Sequence, residues 1–276
     1  LSYLIPNKRS HLNAYYAEFV EECYKQFNAD GLNAELATDY HNYSFDLILT
    51  VLLFCPEINH SRLQDLTTKI AQTTKWVFEF GGFWPRISDS DHAALLAHGV
   101  SEQTRAEMLF KIAESLLDQE LLEYTENRLT LQDSGYSFLK SRSGQGELIL
   151  LADHGYLGYG DIAGHAHADS GAIWLWLDKQ PVLVESGTYS YHSSDEVRNA
   201  LRSSMMHNTI SLNGVSTSTP SGPFLWLRKN RALASLMSAT NESVTINVNI
   251  PKNGVLKSAV KHTRLISLSD GYITIE

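Results

Sequence analysis

Gly164–Asp169 reads G-H-A-H-A-D, and how that run is folded governs the second half of the chain. If Ala166 and Ala168 lie in extended chain, His165, His167 and Asp169 project from one face with only alanines between them. Two imidazoles and a carboxylate on one face can hold a metal, activate a proton, or do both. Leu183–Tyr191 (L-V-E-S-G-T-Y-S-Y) and Met206–Thr209 (M-H-N-T) add Glu185 and His207, each in a strand-like segment with turn residues beyond it. Together these form the mixed histidine and carboxylate set that zinc accepts. Trp174, Trp176 and the Pro181–Glu185 run supply an apolar wall. On residues alone, a histidine pair is about as often a hydrogen-bonded structural feature as a site.

Outward from this run the periodicity changes once. From His11 to about Glu126 it is helical. Tyr15, Phe19, Val20 and Cys23 recur at steps of three and four. Phe45–Phe54 predicts a strongly apolar helix stopped by Pro56. Leu63, Leu66, Ile70 and Val77 predict another helix, and Ala106–Leu122 a fourth. Short polar joins suggest an all-α array of antiparallel neighbours. After Asn127 the expected strands are Tyr136–Leu139, Leu148–Ala152, Ala172–Leu177, Val182–Glu185, Thr209–Leu212, Leu233–Met237, Val244–Val248, Thr263–Leu268 and Tyr272–Ile275. Asn213-Gly214 and Asp270-Gly271 signal tight turns.

The chain has 276 residues, enough for a large core in one or two domains. No apolar stretch is long enough to span a bilayer, and the first residues do not read as a secretory signal. Cys23 and Cys55 are too few for a disulfide framework and read as core residues, with one bridge left open. A net charge of −9 disfavours nucleic acid, and an acidic polysaccharide would need a local basic lining. The candidates are Arg198 with Arg202, and Arg228, Lys229 and Arg231. A solvated surface is the equal alternative for both groups.

The strings G-H-A-H-A-D, V-E-S-G-T-Y-S-Y and R-S-S-M-M-H-N-T (Arg202–Thr209) resemble the C-terminal domain of the heparinase II/III-like polysaccharide lyases, a family that includes alginate lyases. Gly31–Tyr43 (G-L-N-A-E-L-A-T-D-Y-H-N-Y) resembles the family's E-x-S-x-x-Y-H stretch. Gly81–Asp91 (G-G-F-W-P-R-I-S-D-S-D) resembles its P-x-I-G-D-x-D stretch. The resemblance implies an α+β multidomain fold: a helical, partial α/α toroid at residues 1–130, then an antiparallel β-sandwich at residues 131–276. It implies a bacterial periplasmic or secreted protein acting on an acidic polysaccharide by β-elimination.

Such a reaction removes the C5 proton of a uronate and protonates the departing O4, so it needs a base, an acid and donors for the enolate-like intermediate. The resemblance assigns the catalytic tyrosine to Tyr40 and places His165 beside the scissile bond. His41 would line the cleft, Tyr189 and Tyr191 could stack on a sugar, and Arg198 and Arg202 could meet the polyanion. His167, Glu185 and His207 match positions that hold a structural divalent metal, zinc by its donor set. Three departures stand out: Glu185 replaces the usual Asp, Ser88 replaces a common Gly, and the residue that neutralises the substrate carboxylate is expected upstream of Leu1. Asp89 and Asp91 read as cap or loop-orienting residues. His11, His60, His92, His98, His154, His192 and His262 read as surface or loop residues, and most of the tryptophans as core. Two alternatives remain: a glycan-binding or surface-polysaccharide assembly protein without activity, and a metal-dependent hydrolase.

Overall fold

The computed structural model describes residues 12–276 apart from 57, 92, 145, 193, 228–230 and 253–255. His11, His92, Arg228 and Lys229 lie outside the described residues. Helices come first: α1 (Leu12–Gln26), α2 (Thr38–Phe54), α3 (Ser61–Gly81) and α4 (Glu102–Leu117). Ser101 caps α4 by accepting from the Thr104 N–H, and α3 stops at Gly82, whose left-handed φ of 66° suits a residue without a Cβ. The apolar stripes meet in one core around Val20, Phe45, Leu49, Leu63, Ile70 and Leu109. These helices form a single cluster and, among the described residues, do not close a ring. None is long and apolar enough to cross a membrane.

Two antiparallel sheets follow. The first is a meander of β1 (Arg128–Leu131), β2 (Tyr136–Ser143), β3 (Gly146–Asp153), β4 (Ile173–Leu177) and β5 (Gln180–Leu183). The second is a meander of β6 (Leu233–Ala239), β7 (Ser243–Ile250), β8 (Val260–Ser269) and β9 (Tyr272–Ile275). β3 explains the layering. Leu148, Leu150 and Ala152 pack on Val244, Ile246 and Ile266 of the second sheet. Ile149 and Leu151 pack the other way, on Phe80 and Trp84 of the helical part. The first sheet is therefore a middle layer covered on both faces, which is why β3 reads as an unbroken apolar run.

Several expectations are corrected. Gly164–Asp169 is not a strand. Its backbone is held by irregular bonds, Ala168 N–H to Arg202 C=O at 2.8 Å and Asp89 N–H to His165 C=O at 3.1 Å. The alternation survives because Ala166 and Ala168 bury themselves against Leu157 and Trp226. Thr209–Leu212 is not a strand either; a lone bridge joins Leu212 to Val215 around Asn213-Gly214, whose φ values of 54° and 70° make the expected tight turn. β1 and a short helix, α5 (Asp195–Leu201), were not expected. His60 and His154 are buried, His60 between Tyr16 and the Cys55 carbonyl and His154 against Ser137. Both cysteines are free thiols.

One turn requires glycine on steric grounds. Gly135, between β1 and β2, has a φ of 79°, and a Cβ there would collide with the Gly155 backbone. Gly135→Ala is expected to cost roughly 2–3 kcal/mol, from positive-φ strain plus overpacking. A denaturation midpoint equal to that of the parent would contradict this.

Candidate active site and metal centre

Asp89 is the hub of the site. It is fully buried between α3 and α4 in sequence, on a stretch that runs beneath Gly164–Asp169. Its Oδ1 accepts from His167 Nε2 at 2.9 Å and Arg198 Nη1 at 2.6 Å; its Oδ2 accepts from Arg198 Nη2 at 2.5 Å and His165 Nδ1 at 3.3 Å. Burial alone would raise its pKa, but the hydrogen bonds from His165, His167 and Arg198 overcome that and hold it well below the ordinary carboxylate value. Asp89 is thus an anion, and each histidine facing it must donate.

That requirement fixes the tautomers. His165 keeps its proton on Nδ1, so in the neutral ring Nε2 is bare. His167 keeps its proton on Nε2, so Nδ1 is bare. His207 donates from Nδ1 to the Ser203 carbonyl at 2.7 Å, leaving its Nε2 bare. His167 Nδ1 and His207 Nε2 then face each other at 3.0 Å with no proton between them. Burial lowers both pKa values, that of His207 to about 3, so neither ring takes up a proton readily. The Glu185 carboxylate lies 4.0 Å from His167 Nδ1 and 3.6 Å from His207 Nε2. One ligand atom from each of the three residues lies within 4.8 Å of the others. Two bare lone pairs and a carboxylate converge here, with Glu185 Oε2 buried and lacking a hydrogen-bond partner among the described residues. Such a donor set fits a divalent cation, and Glu185, though longer than Asp, brings its oxygens to the histidines. Asp89 behind His167 supplies the outer carboxylate that commonly orients a ligating imidazole.

On the other side of Asp89, Tyr40 and His165 come together. Tyr40 stands in the first turn of α2, not ahead of it, and its ring stacks on His165 with centroids 3.7 Å apart and planes 16° off parallel. Its hydroxyl lies 3.0 Å from that of Tyr191, which in turn donates to the Ser90 carbonyl at 3.3 Å. Burial raises the Tyr40 pKa to about 12, against a lowering pull from the Tyr191 hydrogen bond, so Tyr40 carries its proton at neutral pH. Glu35, from the E-L-A-T-D-Y-H stretch, approaches His165 Nε2 at 3.8 Å, and burial raises its pKa. Phe224 packs its edge on His165, with centroids 5.9 Å apart.

Three expected substrate contacts lie elsewhere. His41 is 1% exposed, takes the Asn33 N–H on Nδ1 and bonds Thr74 through Nε2, and packs on Trp84. It cannot line a cleft; consecutive helical residues point about 100° apart, so Tyr40 faces outward and His41 the core. Arg198 is 1% exposed and committed to Asp89. Arg202 is fully buried, bonded to Asn199 and to the Gly222 and Pro223 carbonyls, and lies over Trp226. Neither presents a cation to a polyanion. Arg231 is likewise turned to the Gly160, Asp161 and Trp226 carbonyls. Tyr189, by contrast, is 82% exposed. Asp89 and Glu35 were the residues to add, while Tyr191, expected to stack on a sugar, instead bonds the Tyr40 hydroxyl. The signal of the first two was present: each sits inside a quoted motif stretch, Glu35 in Gly31–Tyr43 and Asp89 in Gly81–Asp91.

Residues 125–276 match the family described as Heparinase II/III-like, C-terminal. Among solved structures, the fold is similar to a heparinase III with methylated lysines, with a TM-score of 0.65 and 20% identity over 94% of this chain and 39% of that one. It is similar to another heparinase III structure, with a TM-score of 0.66 and 16% identity over 98% and 43%. A mutant heparan sulfate lyase from Pedobacter heparinus gives a TM-score of 0.62 and 16% identity over 92% and 39%. The chain therefore spans about two fifths of the length of these structures. No curated protein matched in sequence.

Proposed function

This chain belongs to the heparinase II/III-like family, and on that premise we propose that it carries the catalytic tyrosine–histidine pair and metal centre of a polysaccharide lyase cleaving a uronic-acid-containing glycan by β-elimination. The observation that carries the reading is the stacked Tyr40–His165 pair, in which Asp89 fixes the orientation and tautomer of the histidine and burial keeps the proton on the tyrosine. His165, its Nδ1–H committed to Asp89, offers a bare Nε2 to the C5 proton. Tyr40 holds a proton for the departing O4. One group takes and the other gives, as elimination demands. The helical part contributes Tyr40 to one side of the substrate cleft, and the segment between β3 and β4 contributes His165 to the other. An acidic polysaccharide outside the cell or in the periplasm is the natural substrate.

His167, Glu185 and His207 would hold the metal, zinc by donor type, which when bound orders the sheet domain beneath the cleft. The chain's own residues supply acid and base. His167→Ala is expected to reduce bound metal from about one ion per chain to below about a tenth, by elemental analysis of purified protein. Equal metal in parent and variant would remove the assignment.

The function itself is tested by offering the protein alginate, heparan sulfate and similar uronate polymers and following the ultraviolet absorbance of an unsaturated uronate. Binding with no unsaturated product across the panel would favour a glycan-binding protein of the same fold.

A further inference from the structure

A cavity of about 720 Å³ lies between the start of α2, the loop after α3 and the β4–β5 edge, and neither Tyr40 nor His165 lines it. The wall between this cavity and the Tyr40–His165 pair is shared, and its residues alternate. Asp39, Ser88, Ser90 and Tyr189 line the cavity. Tyr40, Asp89 and Tyr191, each one or two positions along, serve the histidines. The two spaces lie back to back across the same segments.

The lining is that of a sugar site. Phe83 and Trp176, with centroids 4.8 Å apart, offer aromatic surface for the apolar face of a pyranose. Trp174 is 1% exposed, and its indole N–H is buried without a hydrogen-bond partner among the described residues. A donor left in that state costs about 1–3 kcal/mol and is satisfied by a ligand that brings an acceptor. Lys179, on the exposed β4–β5 turn, and Arg86 place two cations in the lining, alongside the carboxylates of Asp39 and Glu185. The volume suits a ligand of one to two sugar rings. We propose that this cavity is a second saccharide site, separate from the reacting pair, that takes an acidic sugar residue. It draws on the lyase reading only for the choice of saccharide.

The test uses the Tyr40→Phe protein, so that turnover is slowed, with a glucuronate-containing heparan tetrasaccharide as ligand and cellotetraose as the neutral control. Binding is followed by tryptophan fluorescence, since Trp84, Trp174 and Trp176 all line the cavity, and by calorimetry. Val184→Phe adds bulk at a lining position that is 52% exposed and is expected to weaken the fluorescence-detected binding at least about tenfold. Lys179→Asn removes one of the two lining cations, leaving Arg86, yet tolerates the backbone φ of 65°. It is expected to weaken the acidic ligand several-fold, and it decides the matter if Val184→Phe does not fold. His165→Ala should leave this binding event in place. Unchanged affinity in the cavity variants, loss in His165→Ala, or cellotetraose binding as tightly as the acidic ligand would each overturn the proposal. Unsaturated product from the parent together with cavity-independent binding sinks the second site and leaves the lyase standing. Cavity-dependent binding without product does the reverse.

Discussion

Asp89→Asn is expected to destabilise the fold by about 3–5 kcal/mol and to lower both metal retention and turnover. The magnitude follows from what the anion balances. Arg198 is 1% exposed and spends both terminal nitrogens on Asp89. Removing one partner of a buried pair leaves the other charge uncompensated, which is where costs of about 3–5 kcal/mol arise. For a chain of this size that corresponds to a thermal midpoint lower by roughly 10 °C. An amide also cannot accept equally from Arg198, His165 and His167, so His165 and His167 lose the partner that fixes their bare nitrogens. Because the Asp89 pKa is depressed, its stabilisation is complete above the ordinary aspartate value of 3.8 and is lost as pH falls below that toward the folded value. Parent and variant melting curves should therefore converge at low pH. The double variant Asp89→Asn, Arg198→Met should be less unstable than the sum of the single ones, since neither charge is then stranded. A thermal midpoint for Asp89→Asn within about 2 °C of the parent would show that the hub does not carry the site.

How much of this was legible beforehand depends on whether a residue's role was set locally or by a distant partner. The order of helices then strands was written in periodicity, because stripes at steps of three and four and runs at a step of two are local. The convergence of His167, Glu185 and His207 was also legible, through the family resemblance of the stretches that carry them. Gly164–Asp169 is instructive: alternation was correctly expected, but a ladder was not its cause. The alanines need a pocket, which Trp226 and Leu157 supply. Asp89 was read as a cap because an aspartate in a polar loop usually is one, and nothing nearby announces that Arg198, 109 residues later, will close on it. Arg198 and Arg202 misled in the opposite direction. Four apart in sequence, they look like a solvent-facing basic patch. The loop that buries them, with carbonyls of Gly222 and Pro223 as acceptors, follows about twenty residues on. His41 erred by one helical step from Tyr40. In each case the missing information was tertiary: which loop covers which face.

Tyr40→Phe is expected to reduce the rate of unsaturated product formation by about 10²–10⁴-fold, the span that a positioned acid or base commonly supplies. The substitution removes one oxygen. The ring, its 3.7 Å stack on His165 and its place in the first turn of α2 are all retained. The structural loss is one hydroxyl contact, to Tyr191 at 3.0 Å, worth about 1 kcal/mol at most. Activity and stability are thus predicted to separate: turnover collapses while the melting temperature moves by only a few degrees. His165→Gln makes the complementary case. It can still bond Asp89 but offers no basic nitrogen, so its deficit should be comparable and the two together should cost little more than either alone, as expected of groups that act in one step. Asp89→Asn, by contrast, should lose both properties at once. If Tyr40→Phe keeps more than about a tenth of parental turnover on a polymer that the parent cleaves, then Tyr40 is not the acid. The proton would then have to come from another nearby group, with Glu35, whose burial-raised pKa favours a protonated carboxyl, the first to examine.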